Sequence, residues 1–189
     1  RKWCNKMQNP RTERRAERIM GLVDMTGKTV LDLGCSVGTM SGIFGRKANS
    51  VIGYDYDGYS IDIANSLYNT NIFFVKQDLT LEFLDTIPGA DIIVWTSQFM
   101  WMVKDNGLPY ALDFLWKLST KCQTLVFESA GRDDGSAPLP LSQNDFFALL
   151  CQNTSFQDIT DQGPSNDGWA PRNIFVGKSP FSKSHGHWS

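Results

Sequence analysis

Five short apolar runs, KTVLDLG, SVIGYD, NIFFVKQD, ADIIVWTS and TLVFES, alternate along the chain with stretches of helical periodicity. No other feature constrains the fold as tightly. A strand buried on both faces reads as a near-continuous apolar run, and a parallel neighbour is reached only through a crossover long enough for a helix. The helix candidates are residues of about 10–24, with Ile19, Leu22 and Val23 at helical spacing after Pro10 and Thr12, then GYSIDIANSLYN and PYALDFLWKLST. The rhythm then changes. After the helical LSQNDFFALLC come FQDITDQ and RNIFVGKS, joined by GPSNDGWAP without a helix, and such a connection favours an antiparallel pair. The expected class is α/β, a doubly wound, mostly parallel sheet with helices on both faces.

At 189 residues and 41% hydrophobic content, the chain suits one domain over residues 1–179. Residues 180–189, with His185 and His187, are expected to be a disordered or vector-derived tail. No repeat or low-complexity block divides the chain. Because it starts at Arg1 rather than Met, the chain is read as either a trimmed sequence or one domain of a larger protein. No apolar run reaches the roughly 18 residues of a membrane-spanning helix, and no secretory pattern opens the sequence. Cys4, Cys35, Cys122 and Cys151 are widely spaced, so reduced thiols and a cytoplasmic location are expected.

The first strand runs directly into a glycine turn, TVLDLGCSVGTMSG. Read from Gly34, a dinucleotide fingerprint G-x-G-x-x-G would need glycine at 36 and 39, where Ser36 and Thr39 stand. The alternative spacing D-x-G-x-G-x-G is met by Asp32, Gly34 and Gly38, with Ser36 at the middle position. Asp55 ends the second strand, and Asp78 ends the third. With acids and glycines in this register, the chain resembles the class I, Rossmann-like S-adenosylmethionine-dependent methyltransferases.

The resemblance implies a seven-stranded sheet of order 3-2-1-4-5-7-6, last strand antiparallel, with a cofactor half at about 28–97 and a substrate half at about 98–179. It implies that S-adenosylmethionine is held by Asp32, Gly34, Cys35, Ser36, Gly38, Asp55, Tyr56, Asp78, Leu79 and Thr96, leaving S-adenosylhomocysteine as product. Asp55 would accept hydrogen bonds from ribose hydroxyls, Asp78 would face the adenine amino group, and Tyr56 would pack on the adenine face. Asp32 also has a plainer reading as an acceptor for the N–H groups of the turn. Asp57 is read as a helix cap rather than a ligand.

Methyl transfer from a sulfonium is an in-line displacement, so holding the nucleophile and methyl carbon in line is the main task. A hydroxyl nucleophile also needs a base. The only histidines, His185 and His187, lie in the tail, and no metal site is expected. Glu128, ending the fifth strand, is the first choice among the available carboxylates, which include Asp133 and Asp134; its competing reading is a solvated acid or a partner of Arg132. Gln98 and Trp101 are candidates for a substrate wall, while Phe99, Met100 and Met102 read equally as wall or core.

The stretch after the fourth strand has neither the N-P-P-Y or D-P-P-Y motif of base-amino methyltransferases nor the Pro-Cys of the cytosine C5 class. Arg11, Arg14, Arg15 and Arg18 form a stripe on the first helix; Arg14 and Arg15 are candidates for holding a phosphate-bearing substrate. A net charge of −2 argues against extended nucleic-acid binding, and DNA is not expected. QNPRTERR and LVFE are faintly similar to methyltransferase domains of glycan biosynthesis. The reading is a methyltransferase of a small molecule or glycan, acting on a hydroxyl or phosphate oxygen; the alternatives are an RNA methyltransferase and a cofactor-binding module without catalysis.

Overall fold

The computed structural model describes residues 10–132, 134, 139–165 and 172–179. Their elements run α1 (Pro10–Leu22), β1 (Thr29–Leu33), α2 (Thr39–Phe44), β2 (Ser50–Asp55), α3 (Gly58–Leu67), β3 (Ile72–Lys76), α4 (Leu81–Thr86), β4 (Ala90–Thr96), α5 (Phe99–Asn106), α6 (Leu108–Ser119), β5 (Cys122–Glu128), α7 (Gln143–Gln152), β6 (Asp158–Pro164) and β7 (Asn173–Lys178). Cys4, Asp133, the tail histidines and most of GPSNDGWAP lie outside the described residues.

Successive side chains of a strand point to opposite faces, and the central strands bury both. Val30, Val51, Ile92, Val94, Val126 and Val176 face one side, where α1, α2 and α3 cover them with Ile19, Ile43, Phe44, Ile61 and Ala64. Leu31, Leu33, Ile93, Trp95, Leu125 and Phe127 face the other, under α4 to α7. There Trp95 meets Phe99, Phe114 and Phe127 at ring-centroid distances of 5.8, 5.1 and 5.7 Å.

The strand order is β3-β2-β1-β4-β5-β7-β6, as expected. β1 to β5 are parallel neighbours, and β7 runs antiparallel to both β5 and β6. The stretch after β4 is a helix, α5, and Phe99, Met100 and Met102 are buried in the core beneath it. Among the described residues, no helix is long and apolar enough to cross a membrane.

Local chemistry sets the helix starts. Asp57 caps α3 by accepting the Tyr59 N–H at 3.2 Å, as read from sequence, and Thr80 caps α4 by accepting the Phe83 N–H at 3.1 Å. Ser142 and Asp145 form a reciprocal capping box on α7.

Asp32 ties β1 to α2. It lies buried, and the buried Ser41 hydroxyl donates to its Oδ2 at 2.6 Å. Burial pushes the Asp32 carboxyl up to about 6 from the ordinary 3.8, against the pull of the Ser41 bond and of Arg15. A raised carboxyl pKa means that folding favours the protonated form, so this contribution is complete below pH 3.8 and is lost as pH rises through about 6. Asp32→Asn keeps an acceptor for Ser41 and removes the ionisation. Its stability relative to the parent is expected to rise between pH 4 and pH 7 by up to about 3 kcal/mol. Urea denaturation across that range checks it; a constant difference refutes the assignment.

Candidate active site

The turn between β1 and α2 alternates left-handed residues, Gly34 (φ 83°), Ser36 (φ 51°) and Gly38 (φ 78°). Glycine adopts this conformation freely, whereas at Ser36 it carries strain. At Gly38 a methyl group would also run into the Phe74 ring. The Gly34 and Cys35 N–H groups both donate to Tyr54 O, at 2.8 and 3.1 Å, which sews the turn to β2.

Asp55 holds Ser36 in place. Its Oδ2 accepts the Ser36 N–H at 2.8 Å, and its Oδ1 accepts the Asp57 N–H at 3.0 Å. The carboxylate is only 7% exposed, yet it lines a cavity of about 370 Å³. Each oxygen retains lone-pair capacity for another donor.

That cavity crosses the C-terminal ends of β3, β2, β1 and β4, with Asp78, Asp55, Gly34 and Gln98 on its wall in that order. Tyr56, Leu79 and Trp101 line it as well. Of the expected cofactor residues, Asp32, Cys35, Ser36, Gly38 and Thr96 do not line it. Asp32, Cys35 and Thr96 are buried, and Ser36 and Gly38 shape the turn. Burial, reinforced by Asp32 and Asp55, pushes the Cys35 thiol far above its ordinary value.

Met102, read from sequence as wall or core, lines the cavity too, and Thr80, Asp105, Asn106 and Tyr110 do so without having been singled out in the sequence. The usable signal was the D-N-G at 105–107, which breaks the polypeptide into α5 and α6. Tyr110 follows on α6 and accepts the Leu81 N–H at 3.1 Å, joining α6 to the start of α4. The rest of the wall comes from three-dimensional proximity alone.

Glu128 is fully buried and does not line the cavity. Arg15 Nη1 donates to its Oε2 at 2.7 Å and Arg172 Nη1 to its Oε1 at 3.3 Å. The Arg132 pairing considered from sequence is absent; Arg132 sits 3.4 Å from Asp145 instead. Arg172 also pairs with Asp134, and the Ser97 hydroxyl accepts from both arginines. Arg15 therefore points into the protein. Arg18 likewise bonds the Gln162 carbonyl, while Arg14 is exposed. Among the described residues no cluster of three or more His, Cys, Asp or Glu side chains could hold a metal ion.

No protein-family model matches the chain, and no curated protein matches it in sequence. Solved structures match in fold. The bifunctional kinase-methyltransferase WbdD superposes with a TM-score of 0.68 at 17% identity over 93% of this chain. The chain spans 39% of that WbdD chain. Magnesium protoporphyrin IX methyltransferase (ChlM) from Synechocystis PCC 6803, solved with bound SAM, gives a TM-score of 0.68 at 15% identity, covering 90% of this chain and 80% of that one. A TehB-like SAM-dependent methyltransferase from Corynebacterium glutamicum gives 0.63 at 17% identity, covering 88% and 87%. The strand order, the antiparallel β7 and these superpositions establish the class I S-adenosylmethionine-dependent methyltransferase fold.

Proposed function

We propose that the protein is an S-adenosylmethionine-dependent methyltransferase acting on an oxygen of a small molecule or glycan. The observation that carries this reading is the Asp55 carboxylate, fixed by two backbone N–H groups and still open to donors in the cavity. A ribose offers two adjacent hydroxyls to such a carboxylate. Asp78 and Tyr56 suit an adenine ring on the same wall, and Cys35, Ser36 and Gly38 hold the turn from behind. The volume falls within the range of small-ligand cavities.

When bound, the cofactor supplies a methyl group on a positively charged sulfur. The chain's own part is to bind, orient and exclude water, since an in-line displacement draws most of its rate from alignment. Two arginines already engage the Glu128 carboxylate, which favours a structural role over the base role expected from sequence. A small or glycan acceptor is favoured over RNA because Arg15 and Arg18 of the arginine stripe are spent inside the protein. The kinase-methyltransferase WbdD among the fold neighbours is compatible with the same reading.

Asp55→Ala is expected to weaken S-adenosylhomocysteine binding by about 1.5–3 kcal/mol, through the lost charged hydrogen bonds. Calorimetry checks this, and unchanged affinity would sink the cofactor assignment. Production of S-adenosylhomocysteine, screened by mass spectrometry against glycan and small-molecule acceptors, tests the acceptor class.

Glu128→Gln leaves Arg15 and Arg172 facing a neutral amide in a buried site, so it is expected to cost roughly 3 kcal/mol of stability. A loss of turnover with stability unchanged would instead restore the base role. Thermal unfolding and single-turnover rates on the same preparation separate the two.

A further inference from the structure

The two edges of the sheet are finished differently. At β6 the pairing with β7 is interrupted by a bulge between Asp161 and Pro164, and the strand carries that proline and the exposed acids Asp158 and Asp161. Bulges, prolines and charges are the devices that stop an edge strand from pairing further. β3 is less guarded. Ile72–Lys76 pairs with β2 residue for residue, with neither bulge nor proline, and its single charge, Lys76, stands at its end. Ile72 and Phe74 are buried on one face, while on the other Phe73 is 55% exposed and Val75 42%.

The main chain of this edge has a fixed direction. Asn71 O accepts from the Val51 N–H at 2.9 Å, and the Gln77 N–H donates to Asp55 O at 2.8 Å, so the odd-numbered residues turn their polar groups toward β2. Along a strand these groups alternate sides, and Ile72, Phe74 and Lys76 therefore turn theirs outward. The Asn65 amide reaches Phe74 O at 3.5 Å, the far limit of a hydrogen bond, and a better donor displaces it readily.

We infer that this edge is a self-association surface, on which two copies of the chain pair β3 with β3 antiparallel across a two-fold axis at Phe74. In that register Ile72 lies opposite Lys76 of the second copy, and Phe74 opposite its own counterpart, so each outward N–H and C=O of the strand meets a partner. Phe73 falls opposite Val75 of the second copy in the closer, non-hydrogen-bonded pair, an aromatic ring against a β-branched side chain. Lys76 faces no like charge. Sliding one strand by two residues either way sets Val75 against Asn71 or Phe73 against Gln77, and runs Lys76 or Ile72 past the end of the partner strand. A second copy suits the edge better than a foreign peptide, because the strand is its own complement and a two-fold contact closes at two copies. The 5 residues a side are few against the roughly 20–30 of a standard interface, so the dimer is expected to be reversible.

Sedimentation velocity on the 189-residue chain should show monomer at about 1 μM and mostly dimer at about 300 μM. Monomer throughout would overturn the inference, as would growth past the dimer. Phe73→Lys puts a charge on the exposed face, and Lys76→Pro removes an outward N–H while sparing the bonds to β2. Each should weaken the dimer by about tenfold or more, with thermal unfolding at about 1 μM close to that of the parent. A dimer unchanged in both variants would place the contact elsewhere and refute the edge. Cross-linking reads the register: oxidising a mixture of Phe73→Cys and Val75→Cys chains should give the mixed disulfide between positions 73 and 75, mapped by mass spectrometry. A disulfide joining two Phe73→Cys chains in preference to the mixed one would overturn the axis at Phe74.

Discussion

The site depends on one carboxylate accepting two backbone N–H groups. Without the bonds from Ser36 and Asp57 to Asp55, the turn after β1 would hold a non-glycine residue at φ 51° with nothing to offset the strain. Such strain costs about 1–3 kcal/mol, and charge-assisted hydrogen bonds are among the few local interactions of comparable size. The same bonds fix Asp55 on the cavity wall, so the geometry that makes the turn stable also presents this acid to the cavity.

A second constraint acts at the neighbouring strand ends. Arg15, Ser97, Glu128, Asp134 and Arg172 come from distant parts of the chain and form one buried polar cluster in which the formal charges cancel. Burying charges is costly unless each finds its partner, so α1, β4, β5 and the entry to β7 must all be in place before the cluster is satisfied. Helix α1 is therefore held against the edge of the candidate site, although neither Arg14 nor Arg15 lines the cavity. It also explains why a stripe of arginines on an amphipathic helix is not a basic surface: the helix turns two of them inward.

The strands were legible because burial on both faces demands continuous apolar runs, and the sheet order was implied by the family resemblance that the acid and glycine register carries. Asp55, Asp78, Tyr56 and Gly34, expected from the same resemblance, line the cavity because they sit at strand ends whose positions the local sequence pattern fixes. Asp32, Cys35 and Thr96 belong to the same motifs, but their side chains point into the core. A motif identifies the residues around a turn without saying which face each one presents.

By itself the sequence determined the α/β class, the antiparallel end of the sheet and the turn that opens the site, because these depend on periodicity and on backbone conformations that few residues tolerate. Only the tertiary structure decided that Glu128 answers to Arg15 and Arg172 rather than Arg132, that Tyr110, Asp105 and Asn106 complete the wall, and that Gln98 lies over Gly34. Those pairings join residues far apart in the chain. Hydrogen bonds and ion pairs act over a few ångströms, so such partners are chosen by the packing of whole elements, which no local pattern encodes.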